Sequence, residues 1–178
     1  RNLMYLVSMG YLEGFYYRPR IDLDLLRERS EGLIATSGCL SSMISRAILD
    51  RDATRAWRLV EEFSAIFPGR FYLEMQRHGI PAQDEVNAEL IKMASDLRLP
   101  LVATNDAHYL ESCDHDPHDV LLCIGTAANF DDPKRFRFDG QGFYVKDGDE
   151  MRQLFADHPS AVDATLEIAE RCDVEIEM

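Results

Sequence analysis

Short apolar runs alternate with helical periodicities over the first hundred residues. Gly32-Leu33-Ile34-Ala35-Thr36 reads as a short buried strand that stops at Ser37-Gly38-Cys39. A helical stretch from Leu40 to Leu49 follows. Ala56, Leu59, Val60, Phe63, Ile66 and Phe67 then recur at helical spacing, and Pro68-Gly69 ends that helix. Phe71 to Met75 is a second strand. Asp84 is placed as an N-cap with Glu85 in the first turn, and Val86, Leu90, Met93, Ala94 and Leu97 form one apolar helix face. Pro100 closes the helix, and Leu101 to Thr104 is the third strand. This alternation predicts an α/β fold with parallel strands and right-handed crossovers.

The pattern changes after Asp106. His118 to Ile124 reads as a short helix, with Asp116-Pro117 near its start. Two alternating segments between Phe136 and Val145 flank Asp139-Gly140-Gln141-Gly142, which predicts a hairpin or an extended excursion. Asp147 and Glu150 have capping-box spacing ahead of Met151, Leu154 and Phe155. Ser160 opens a last helix, with Val162, Thr165, Leu166, Ala169 and Cys172 on one face.

The 178 residues are enough for one domain with a real core. The text begins at Arg1 in mid-pattern, so the chain is expected to be part of a longer protein. A net charge of −13 argues against broad nucleic-acid binding by this segment alone, because duplex affinity comes largely from Lys and Arg. The longest apolar run is far too short to cross a membrane, and no signal-peptide pattern opens the chain. The four cysteines are scattered without a CxxC pair, which predicts reduced cytosolic thiols.

Each predicted strand runs into polar residues: Cys39 after the first, Gln76 and His78 after the second, Asp106 and His108 after the third. Sites in parallel α/β folds lie at these carboxyl ends. Continued strand geometry would put Asp106 and His108 on one face, with Cα atoms roughly 6 to 7 Å apart. Cys, Asp and His all ligate Zn²⁺, and Asp with His also suits Mn²⁺ or Fe²⁺. The bland readings are a small buried cysteine and an aspartate that caps a turn. His115 reads as a loop residue, and His118 as a cap or packing residue at a helix start. Glu74 and His78 read as cleft wall, or Glu74 pairs with a basic side chain. Lys134-Arg135-Phe136-Arg137 reads as a solvated turn, or as a contact to a phosphate or an acidic neighbour.

Several stretches, taken together and in order, carry a resemblance. They are Arg1-Asn2-Leu3-Met4, Tyr11 to Tyr17, Glu31 to Leu40, Phe71 to Glu74, Leu101 to Tyr109, His118 to Ile124 and Asp131 to Arg135. With them the chain resembles the C-terminal part of the PHP (polymerase and histidinol phosphatase) domain of bacterial DNA polymerase III alpha subunits.

The resemblance implies that residues 1–178 are the C-terminal portion of a distorted (β/α)₇ barrel with a metal cluster at its strand ends. It implies Cys39, Asp106 and His108 as metal ligands, with further ligands before residue 1 and polymerase domains after residue 178. Two or three zinc or manganese ions are implied for the complete domain, and magnesium for the parent polymerase. It also implies DNA, the sliding clamp and a proofreading subunit as partners, and a cytoplasmic location. Three readings compete: a working 3′–5′ exonuclease site within a replicative or error-prone polymerase, a non-catalytic brace that docks a proofreading subunit, and a free-standing phosphoesterase of the histidinol-phosphatase type.

Overall fold

A computed structural model describes residues 1–174. The chain opens with α1 (Asn2–Leu12) and α2 (Leu23–Glu28), for which the sequence pattern assigned no element. Strand β1 (Ala35–Thr36) is followed by α3 (Met43–Leu49) and α4 (Ala53–Ile66). Strand β2 (Phe71–Met75), α5 (Pro81–Leu97) and β3 (Leu101–Ala103) complete the alternating part. After a single 3₁₀ turn, α6 (His115–Thr126), α7 (Gly148–Leu154) and α8 (Pro159–Arg171) follow.

The strands form one parallel sheet in the order β1-β2-β3, with Ala35 opposite Phe71 and Leu73 opposite Leu101. The architecture is thus mixed α/β around a small parallel sheet, as the alternation implies. The central strand is the most apolar: Phe71, Tyr72, Leu73 and Met75 are all buried. Successive side chains of a strand face opposite ways. Phe71 and Leu73 accordingly pack with Ile44, Val60, Leu90 and Met93 from α3, α4 and α5. Tyr72 joins Val102 and Ala164 of α8 in a separate cluster.

Helix starts follow local chemistry. Asp22, Ser42, Asp52 and Asp147 each accept a backbone N–H of the first turn, and Asp147 with Glu150 forms the expected capping box. Helix α5 departs from expectation. It starts at Pro81, whose fixed φ suits the first helical position, and Asp84 lies in its first turn rather than at the cap. Helix α8 also buries a different face. Ala161, Val162 and Ala164 are covered, whereas Leu166, Ala169 and Cys172 are exposed. Tyr72 and Val102 supply the surface that selects this face.

Phe155, fully buried beside Met75, Ala103 and Ala161, ties the α7–α8 corner to the sheet. Arg77 sits over its ring and holds Asp157 with two hydrogen bonds of 2.7 Å. Arg77's hydrogen bonds hold the Asp157 carboxyl down at about 2. Its folded pKa lies below the unfolded value of about 3.9, so this stabilisation is complete above pH ~4 and is lost as the pH falls toward 2. The Asp157 side chain is 55% exposed, so solvent screening keeps the contribution below about 1 kcal/mol. Unfolding free energy measured between pH 4 and 2 should fall less steeply in Asp157→Asn than in the parent chain.

Candidate functional site

The carboxyl ends of the strands are joined by one carboxylate. Glu74 accepts a hydrogen bond from Thr36 Oγ1 at 2.6 Å on one side and from Thr104 Oγ1 at 2.6 Å on the other. Gln76 Nε2 adds a third bond at 3.1 Å, and the backbone N–H of Glu74 donates to Ser37 Oγ. Glu74 therefore pairs with hydroxyls of both neighbouring segments, not with a basic side chain. No periodicity in the sequence marks Thr36 and Thr104 as sharing one glutamate.

Asp106 and His108 do not continue β3. The last ladder bond runs from Thr104 N–H to the Met75 carbonyl, and beyond Met75 the partner strand has ended. Without a partner the chain bends. Ala107 N–H bonds back to the Asn105 carbonyl, and His108 N–H crosses to the Phe143 carbonyl at 2.7 Å. The two side chains still meet: His108 Nδ1 lies 3.7 Å from Asp106 Oδ1 and 3.0 Å from the Asp106 carbonyl oxygen. A carbonyl can only accept, so Nδ1 carries a proton, and a neutral imidazole in this tautomer keeps its lone pair on Nε2. This is the arrangement of a ligating histidine, whose other N–H is held by a backbone carbonyl or carboxylate.

An aromatic wall surrounds that imidazole. Its ring centre is 4.6 Å from Phe138, 5.7 Å from Phe143 and 5.9 Å from His118. Phe138 and Phe143 come from the 136–145 segment, which is an extended excursion. Its one bridge to the 106–110 stretch is parallel, Tyr109 with Tyr144. His118 lies in the first turn of α6, where burial lowers its pKa.

Cys39 stands apart. It is exposed, its Sγ lies 3.1 Å from Ser41 Oγ, and it lines a small cleft with Glu74 and Gln76. The strand ends of β1 and β3 are separated by β2, and two strand spacings amount to about 10 Å. Among the described residues no group of three or more His, Cys, Asp or Glu side chains is gathered closely enough to hold a metal ion. The donor chemistry nevertheless fits one. Thiolate, carboxylate and imidazole are all ligands for zinc, and the last two for manganese.

The basic run has an internal member. Arg135 is buried and holds Asp119 of α6 through both terminal guanidinium nitrogens, at 2.6 and 2.5 Å. Its Nε donates to the Phe130 carbonyl. The acidic-neighbour reading of this run holds for Arg135, and this pair fastens the start of the excursion to α6. Among the described residues no helix is long and apolar enough to cross a membrane.

Comparison with known proteins adds lineage to this geometry. Residues 1–78 match the PHP domain family, a stretch that includes Cys39 but not Asp106 or His108. The chain is 47% identical over 173 residues to the DNA polymerase III subunit alpha of Borreliella burgdorferi, covering 97% of the chain and 15% of that relative. It is 47% identical over 182 residues to the protein of the same name from Thermus aquaticus, covering 99% of the chain and 15% of the relative. Against that of Treponema pallidum it is 42% identical over 177 residues, with 99% and 15% covered. The chain thus spans about 15% of the length of the curated relatives it matches.

Proposed function

The chain belongs to the family of DNA polymerase III alpha subunits, in the region that carries the PHP domain, and on that premise we propose that it contributes one side of a metal-dependent phosphodiesterase site. In this reading residues 1–178 are the C-terminal portion of a distorted (β/α)₇ barrel within a DNA-directed DNA polymerase. Asp106 and His108 are ligands from the β3 end, and Cys39 is a ligand from the β1 end. The remaining ligands come from elsewhere in the domain. Zinc or manganese suits this donor set, and magnesium serves the polymerase reaction itself. DNA, the sliding clamp and a separate proofreading subunit are the proposed partners, in the cytoplasm.

The observation that carries the reading is the hydrogen bond from His108 Nδ1 to the Asp106 carbonyl, which leaves Nε2 free beside a free carboxylate. Divalent ions in such a site activate water and stabilise the charge that develops on a phosphate and its leaving oxygen. The chain's own residues orient that chemistry. The Phe143 carbonyl fixes the His108 backbone, and Phe138 and Phe143 shield one side of the imidazole from water. Glu74 sets the spacing of the strand ends that carry the ligands. The test is metal content and 3′–5′ exonuclease activity of the full-length protein carrying Asp106→Ala with His108→Ala. Unchanged values for both would sink the reading.

A second reading, a non-catalytic brace and docking module, is favoured by a different observation. An open apolar cleft of about 520 Å³ lies beside α1, lined by Leu6, Val7, Leu33, Ile34, Phe63 and Phe67 among others. Metal bound without nuclease activity would select this reading. A third reading, the free-standing phosphoesterase, sits poorly with relatives about 6 to 7 times the length of the chain, since the chain covers 15% of each.

A further inference from the structure

His78 closes the second strand end and is 5% exposed. Its surroundings determine its protonation. The His78 backbone N–H, which can only donate, lies 2.7 Å from Gln83 Oε1. That contact fixes the orientation of the Gln83 amide, so the NH₂ end is the one 2.9 Å from His78 Nδ1. An NH₂ group can only donate, and Nδ1 must therefore accept. The neutral ring then carries its proton on Nε2. Burial, and after it the charge of Lys146, lowers the His78 pKa and keeps the ring neutral.

The Nε2–H is buried and has no hydrogen-bond partner among the described residues. An unmet buried donor is destabilising. The fold nonetheless packs tightly around it. Phe143 stacks on the ring at 4.4 Å with an interplanar angle of 2°. A Cβ on Gly140, at φ +99°, would stand 2.5 Å from the His78 carbonyl oxygen, and one on Gly142 would be 3.3 Å from the His78 Cα. Glycine is needed at position 140 for the excursion to close over this histidine, and at position 142 a larger residue would be a tight fit. The polar groups acting on the ring besides Gln83 are Lys146, Asp106 and Asn105. Asn105 donates from Nδ2 to the Tyr144 carbonyl, and its Oδ1 accepts from Lys146 at 3.3 Å and keeps one further lone pair. Asp106 is the nearby carboxylate whose oxygens no hydrogen bond among the described residues occupies.

We infer that His78 is a positioning residue for Asp106: held by Gln83 with its proton on Nε2, it donates to the Asp106 carboxylate when the Asp106–His108 pair holds a divalent cation. A protonated Nε2 has no lone pair, so His78 is not itself a ligand. Ligating carboxylates are commonly oriented by such a donor, and loss of one typically weakens metal binding 10–100-fold. The inference rests on the metal-site reading of Asp106 and His108.

The experiment is Zn²⁺ affinity of the full-length protein, measured by competition with a chromophoric chelator. His78→Phe keeps a flat ring against Phe143 but has no donor; an affinity loss of about tenfold or more is expected. His78→Gln returns an N–H at similar reach and should bind within about threefold of the parent. His78→Met matches glutamine in length without the donor and should behave like His78→Phe, which keeps the comparison valid if the phenylalanine is not accommodated. Equal affinity in the glutamine and methionine variants, whether normal or weakened, overturns the inference, because the donor would then be irrelevant. Asp106→Ala is the separate control. If it leaves Zn²⁺ affinity unchanged, the metal-site reading itself has failed.

Discussion

Leu73→Ala is expected to lower the unfolding free energy of the chain by about 2–5 kcal/mol. Leu73 is fully buried at the centre of the middle strand, and its pairing with Leu101 sits where β2 and β3 meet. Its side chain packs in the cluster built by Leu90 and Met93 of α5 with Ile44 of α3 and Val60 of α4. Three helices packed over this face and the strand pairing beneath it leave little room for the cavity to collapse, which puts the loss toward the upper part of the range. Most small domains have only about 5–15 kcal/mol of stability, so the variant should be marginal at 37 °C. Urea unfolding checks this: the midpoint should fall while the denaturant slope stays the same. Leu166→Ala on α8 is the matched control. Leu166 is 60% exposed, so the same truncation there should change stability by less than about 0.5 kcal/mol.

That contrast also marks how far the sequence could be read. Buried strands announce themselves as continuous apolar runs, and β2 has the predicted bounds because nothing else competes for Phe71 to Met75. A helix with apolar residues on several sides does not announce which side is covered. On helix α8 Val162 is covered as its spacing implies, but Ala161 and Ala164 are covered in place of Leu166 and Ala169, and the choice was made by Tyr72 and Val102, residues distant in the chain. The same holds for Asp106 and His108. Their identity and proximity were legible, but not the break in β3, which follows from the length of β2 and not from any residue near Asp106. Arg135 looked like part of a solvated basic run because charge patterning cannot show that Asp119 waits on α6. His78 and Gln83 are five residues apart across a strand-to-helix turn, a spacing with no regular periodicity to reveal it.

The acidic balance of the chain has a local counterpart at the proposed site. The net charge of −13 disfavours a phosphate backbone along the surface at large, yet Lys146 lies beside the proposed site, bonded to the Oδ1 of Asn105 next to Asp106. Lys146 is partly buried, and burial lowers its pKa. A substrate anion in this region would depend on bound cations for compensation more than on lysines and arginines of this chain. This makes metal occupancy, rather than surface charge, the quantity on which phosphodiester hydrolysis should turn.

Asp106→Ala combined with His108→Ala in the full-length protein should lower Zn²⁺ or Mn²⁺ affinity by at least a hundredfold and remove metal-dependent 3′–5′ hydrolysis. Each ligand to a divalent ion contributes bonding directly, whereas outer groups typically change affinity 10–100-fold, so loss of two ligands belongs beyond that range. Folding should be little affected, because Asp106 and His108 are 43% and 35% exposed and lie outside the apolar clusters. Cys39→Ser separates the contributions further. A thiolate favours zinc over manganese. If Cys39 completes the site, the serine variant should lose at least tenfold in Zn²⁺ affinity and much less in Mn²⁺ affinity. Equal losses for both metals would make Cys39 a structural residue of the Ser37-Gly38-Cys39 turn, whose Gly38 has a positive φ of 75°. No loss for either would confine the site to the β3 end. The metal dependence of the cysteine variant therefore decides whether β1 and β3 serve one cluster across the 10 Å of sheet between them, about two strand spacings.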